Sequence, residues 1–169
     1  MTRWPRAVLV LSILLSCVAC DQTFKEAAER TLAFSDPVHL FGGVVRLEYA
    51  ENPGAFLSFG AELAEPLRFL LFVVVAALGL TACLVVLFRG RRWPPGTVAG
   101  LSLIVGGGLG NLIDRLLQDG AVIDYVSVGV GPLRTGIFNL ADVVIMTGAF
   151  MILVFRDQTE PQPESEADR

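Results

Sequence analysis

Three carboxylates in this chain stand where apolar sequence meets polar sequence: Asp114, Asp124 and Asp142. Asp142 lies inside Ile137–Phe155, a run otherwise uncharged and about as long as a bilayer is thick. A carboxylate there is costly unless it faces protein or water, so it is a functional candidate by default. Asn111 precedes Asp114 by three positions and Asn139 precedes Asp142 by three, so on helices each Asn shares a face with its Asp. Two polar half-sites follow, one at the exit of one helix and one at the start of the next. Between them AVIDYVSVGV alternates in strand fashion with Asp124 near its beginning. A chain that leaves the membrane and returns at once can bring Asp124 and Asp142 face to face.

Two close carboxylates cannot both ionise easily, so one keeps a proton while the other is a base. Such a pair can activate water against a peptide carbonyl and then protonate the leaving amine. No other nucleophile arrangement competes, because no histidine lies near a serine and no cysteine sits at a polar boundary. The residues alone leave blander readings open. Asn139 can cap a helix whose N-terminal dipole favours Asp142. Asp114 and Arg115 can be an interfacial anchor, and Asp124 a solvated turn residue. A transporter or proton relay using Asp142 is a further reading, although its usual internal repeats are not visible and the charges lie at the boundary.

The elements that must position these groups are membrane helices. Of 169 residues, 53% are hydrophobic and only 18% charged, with a mean hydropathy of +0.61, more apolar than a soluble domain. The net charge of −4, without a basic cluster interleaved with aromatics, argues against a nucleic-acid partner. Cys17, Cys20 and Cys83 all lie in apolar runs and do not form a disulfide framework, and the lone CxxC has no second pair to complete a metal site. His39 reads as a surface residue.

The pattern predicts one integral membrane domain over 1–169, with spans at about 5–21, 67–88, 96–115 and 138–156. Loops fall at 22–66 and 116–137, and 157–169 reads as an acidic disordered tail. Residues 1–20 have a basic start, an apolar middle and small residues near the end. They admit a cleaved signal peptide with a lipobox-like Cys20, or an uncleaved first span. More membrane sequence follows, which favours the span. Residues after 20 look like a short amphipathic helix, FGGVVRLEYA like a strand and ENPG like a turn. Asp21 and Lys25 are spaced as an ordinary helix-surface pair. Gly96/Gly100 and Gly106/Gly110 let neighbouring helices approach closely. Arg89, Arg91 and Arg92 mark a cytoplasmic loop, which puts both termini inside and the three carboxylates at the outer face.

Five blocks together resemble the lipoprotein signal peptidase (signal peptidase II) family of membrane aspartic peptidases: DQTFK (21–25), NPGAFLS (52–58), GNLIDR (110–115), VIDYV (122–126) and FNLAD (138–142). The resemblance runs from about Asp21 to Phe155 in family order. It implies four transmembrane helices with a small extracytoplasmic β-sheet, or cradle, and a short amphipathic helix. It also implies that Asp124 and Asp142 are the catalytic pair. Asn111, Asp114, Arg115 and Asn139 would line the site, and Asp21, Lys25, Asn52 and Gly54 would support it or contact substrate. The implied reaction removes signal peptides from diacylglyceryl-modified bacterial prolipoproteins, just before the lipidated cysteine, without a metal or cofactor and with sensitivity to globomycin. The implied setting is a monomer among lipids of the bacterial cytoplasmic membrane, working at the outer leaflet. Two departures stand out. Phe24 replaces the usual Thr before the Lys, and Phe56 replaces a commoner Ala or Ser; both bear on substrate contact rather than on the aspartates.

Overall fold

The computed structural model describes residues 3–55, 59–89 and 93–155. The described residues form four helices and a small sheet: α1 (Arg3–Leu32), β1 (Val38–Leu40), β2 (Val45–Asn52), α2 (Glu65–Phe88), α3 (Pro95–Leu117), β3 (Val122–Val130), β4 (Leu133–Arg134) and α4 (Leu140–Phe155). Three of the helices are long and apolar enough to cross a bilayer: Pro5–Leu32 within α1, α2 and α3. Helix α4 is equally apolar but shorter, at 16 residues. Leu11, Leu15, Leu78, Phe150 and Leu153 are each at least half exposed, as expected where the surrounding medium is lipid rather than water.

Helix α3 is the axis on which the other helices pack, and its glycines make this possible. A Cβ on Gly106 would lie 2.8 Å from Cys17 of α1, and one on Gly100 would lie 2.8 Å from the Gly148 carbonyl of α4. At Gly107 it would lie 2.6 Å from the Ala141 carbonyl, again on α4. The two GxxxG pairs thus seat two different helices, with backbone approaching backbone on the α4 side. Gly110 is tighter still, since any side chain there would overlap the Asp21 carboxylate. Below this polar level Val10, Leu87, Val98 and Val105 form a fully buried apolar core, flanked by Leu14, Leu84 and Leu101.

The sheet is antiparallel throughout, in the order β1-β2-β3-β4. Strand β2 pairs with β3 so that Asn52 faces Val122 and Ala50 faces Asp124, with an irregularity between Leu47 and Ala50. Ala28 on α1 packs with Ile123 and Tyr125 of β3, which ties the sheet to the helix.

Three sequence expectations shift. The first span does not stop near 21, and among the described residues no separate amphipathic helix follows it. The helix continues unbroken to Leu32, because nothing after Cys20 breaks it and Asp21, Lys25 and Ala28 form one buried stripe at helical spacing. The strand expected from Phe41 begins at Val45, since Phe41, Gly42 and Gly43 make a 3₁₀ turn with φ of 51°, 66° and 88°; its far end extends through Glu51 and Asn52. The fourth helix starts at Leu140 rather than 138, because Phe138 pairs with Val126 as an extension of the sheet. The expected tail at 157–169 lies outside the described residues.

Candidate active site

Lys25 is the centre of a buried polar cluster at the end of the bundle that carries the sheet. Its Nζ lies 2.7 Å from Asp21 and 2.8 Å from Asp114, and donates to Asn111 Oδ1 at 2.9 Å, so all three ammonium protons have acceptors. Lys25 and both carboxylates are no more than 3% exposed. Asp21 and Lys25 are thus an i,i+4 pair, but a buried one with a third partner on α3. A buried cation survives only when paired and fully hydrogen-bonded, and this one is. The carboxylates in turn hold backbone: Asp21 accepts the Ala141 N–H at 3.0 Å, and Asp114 accepts the Ile123 N–H at 3.1 Å. Asp21 therefore anchors the start of α4, and Asp114 the start of β3.

Asp142 occupies the first turn of α4 in a reciprocal cap. Its N–H donates to Asn139 Oδ1 at 3.0 Å, and its own carboxylate accepts the Asn139 N–H at 3.3 Å. The other carboxylate oxygen accepts Asn111 Nδ2 at 3.1 Å. Asn139, fully buried, also donates its side-chain amide to Asp124 Oδ1 at 2.7 Å and to Asn111 Oδ1 at 3.2 Å. Asn52 reaches Asp124 Oδ2 from strand β2 at 2.9 Å. Both oxygens of each aspartate are thereby held, and Asn139 touches both residues. Asn139 thus caps α4 through its Oδ1 and reaches Asp124 through its Nδ2, so one side chain makes both contacts.

Burial pushes the Asp124 carboxyl up to about 6; hydrogen bonds from Asn52 and Asn139 oppose this, and the nearby Asp142 charge adds to it. Asn52 also shapes the next turn by accepting the Gly54 N–H at 2.9 Å and donating to the Ala55 carbonyl at 3.1 Å. Arg115 links α3 to that turn by donating to the Gly54 carbonyl, while its guanidinium lies 5.6 Å from the centre of the Phe72 ring. Among the described residues no group of three or more His, Cys, Asp or Glu is placed to hold a metal ion.

A model of the family described as signal peptidase (SPase) II matches residues 13–156. The chain belongs to the signal peptidase II family. Similar relatives include the lipoprotein signal peptidases of Pelotomaculum thermopropionicum, 35% identical with 85% of this chain and 89% of that protein covered, and of Nitratidesulfovibrio vulgaris, 33% identical with 92% and 93% covered. Among solved structures, a bacterial membrane enzyme shares the fold at a TM-score of 0.75 and 24% identity, covering 93% of each chain. As a signal peptidase II family member the protein is a peptidase, and its bilayer-length apolar helices fit a protein of the bacterial inner membrane.

Within this signal peptidase fold all ten singled-out residues, Asp21, Lys25, Asn52, Gly54, Asn111, Asp114, Arg115, Asp124, Asn139 and Asp142, fall in one connected network. Phe24 is 54% exposed, unlike the buried residues of the network, whereas Phe56 lies outside the described residues. Two contributors were not singled out from the sequence. Gln22 donates to Asp114 Oδ1 at 2.8 Å, and the Tyr125 hydroxyl accepts the Leu140 N–H at 3.2 Å. Each is next in sequence to a singled-out aspartate, which is the only signal that could have found them.

Proposed function

We propose that this protein is an aspartic endopeptidase that removes signal peptides from diacylglyceryl-modified prolipoproteins, cutting before the lipidated cysteine. The observation that carries this reading is Asn139 hydrogen-bonding to both Asp124 and Asp142, one carboxylate on a strand leaving the bundle and one on a helix entering it. In the reaction one aspartate is ionised and takes a proton from water as the water attacks the scissile carbonyl. The other is protonated, stabilises the developing oxyanion by hydrogen bonding, and the amine leaves with a proton from the pair. Burial favours retention of that shared proton near neutrality, in keeping with the raised Asp124.

The remaining residues have supporting roles. Asn52, Asn111 and Asn139 orient the two carboxylates, while Lys25, Asp21 and Asp114 fix the starts of β3 and α4, the two elements that carry them. Arg115 and Gly54 shape the adjoining turn. The relatives' name, lipoprotein signal peptidase, supports the substrate class. An acylated substrate stays anchored in the bilayer, so its scissile bond arrives at the headgroup level, which is where a site at the helix ends must lie. We place that end at the outer leaflet, both termini in the cytoplasm, and the working unit as a monomer needing no cofactor.

The test is cleavage of a purified diacylglyceryl prolipoprotein by reconstituted enzyme, with globomycin as inhibitor control. Asp124→Asn and Asp142→Asn, made separately, are each expected to lower the rate by at least about 10²–10⁴ while the protein stays folded. Normal cleavage by either variant removes that residue from the catalytic role.

A further inference from the structure

Beside the aspartate network, and sharing only Arg115 with it, a cavity of about 290 Å³ opens between the start of α2 and the end of α3. Its lining carries two arginines, Arg68 and Arg115, and two carboxylates, Glu65 and Asp119. Glu65 and Arg68 are three positions apart on α2, a spacing at which opposite charges on a helix ordinarily meet, whereas Asp119 lies in the turn just beyond α3, four positions after Arg115. Neither pair closes. Among the described residues, ion pairs join Lys25 to Asp21 and Asp114, Arg30 to Glu26 and Arg46 to Glu48, and none involves these four. Arg68 gives one N–H to the Ala61 carbonyl at 2.9 Å, which leaves most of its fork unused. Arg115 donates through both Nη atoms, yet its Nε is buried without a partner.

Depth narrows what can bind. Glu65 opens α2 and Leu117 closes α3, so the cavity lies where apolar helix gives way to polar chain, the level of phospholipid headgroups. Phe69 and Leu116 line it as well and are 55% and 62% exposed, offering apolar surface beside the charges.

We propose that this cavity binds a zwitterionic phospholipid headgroup of the phosphoethanolamine class. The phosphate takes donors from Arg68 and Arg115, the primary ammonium lies between Glu65 and Asp119, and an acyl chain runs along Phe69 and Leu116. Guanidinium recognises phosphate through paired N–H donors, and a primary ammonium can donate to both carboxylates. A purely anionic headgroup would use the arginines but be repelled by the acids. A trimethylated ammonium would match the charge but donate no hydrogen bond. The proposal requires only that the helices span lipid; it uses no step of the aspartate chemistry, and its test variants leave Arg115, which also holds the Gly54 turn, unchanged.

The test uses the full chain reconstituted in vesicles of equimolar phosphatidylethanolamine, phosphatidylcholine and phosphatidylglycerol, then purified in detergent, with retained lipid quantified by mass spectrometry. Wild type is expected to retain the ethanolamine lipid about tenfold over the glycerol lipid, the scale of one charge-assisted hydrogen bond. Arg68→Gln is expected to lower retention of all three lipids. Because Arg68 also holds the Ala61 carbonyl, Glu65→Gln is the cleaner variant, and it is expected to erase most of the ethanolamine preference. Equal retention of the three lipids by wild type, preference for the glycerol lipid, or an unchanged preference in Glu65→Gln would each overturn the assignment.

Discussion

Asp124 and Lys25 show how differently two buried charged side chains are managed within one network. Lys25 is neutralised by two carboxylates, so removing it leaves Asp21 and Asp114 facing each other without a cation. Lys25→Met is therefore expected to cost about 3–5 kcal/mol, seen as a lower Tm in detergent, and to reduce cleavage because both carboxylates hold the backbone that carries the aspartate pair. Retention of wild-type Tm would show that the cluster is dispensable. Asp124 has no cation in contact and is instead pushed up to about 6, chiefly by burial. In the unfolded chain it titrates near 4, so over the window from about pH 4 to 6 the folded state holds a proton that the unfolded state has lost. The sign follows: its stabilising contribution is full below about pH 4 and is lost as pH rises through about 6. Relative to Asp124→Asn, which does not titrate there, wild type should lose roughly 3 kcal/mol of stability across that window. Thermal melts at a series of pH values check this; parallel profiles for the two proteins would contradict it.

At the scale of elements, the seam between α3 and α4 sets the distance between the Asn111 and Asp142 half-sites. Gly107 lies under the Ala141 carbonyl, one residue before Asp142, so a methyl group there meets backbone that cannot move aside without shifting the start of α4. Gly107→Ala is expected to lower stability by about 1–3 kcal/mol and to weaken cleavage along with it. Gly79 on α2 is the control, because nothing lies within 4 Å of its added Cβ. Gly79→Ala should leave Tm and activity unchanged or slightly raise Tm. Equal effects at the two positions would mean that close helix approach does not set the site. The two GxxxG pairs were visible in the sequence as contact surfaces, yet Gly107 falls outside that spacing and only the packed helices reveal its role.

For the whole molecule, the sheet and the aspartate network share one end of the bundle, and Arg89 at the far end of α2 marks the other. The proposed orientation, with both termini inside, makes Phe34 beyond α1 extracytoplasmic and Arg89 cytoplasmic. Single cysteines placed at these two exposed positions, in a chain whose Cys17, Cys20 and Cys83 are replaced by alanine, report the orientation. A membrane-impermeant maleimide should label Phe34→Cys in intact spheroplasts and Arg89→Cys only after lysis. The reverse pattern would put the site on the cytoplasmic face.

Apolar run length, charge placement and the Asn-to-Asp spacing were enough to identify membrane helices and the two half-sites, because a bilayer penalises every unsatisfied polar group and so writes the spans into composition. Local spacing could not tell whether Asp21 and Lys25 were a surface pair or a buried one, since an i,i+4 pair looks the same in either setting. That depended on α3 arriving alongside, with Gly110 leaving room for Asp21 and Asp114 supplying the second carboxylate. The same holds for Asn139, which caps its own helix by a local rule but bridges Asp124 and Asp142 only because β3 returns beside the start of α4.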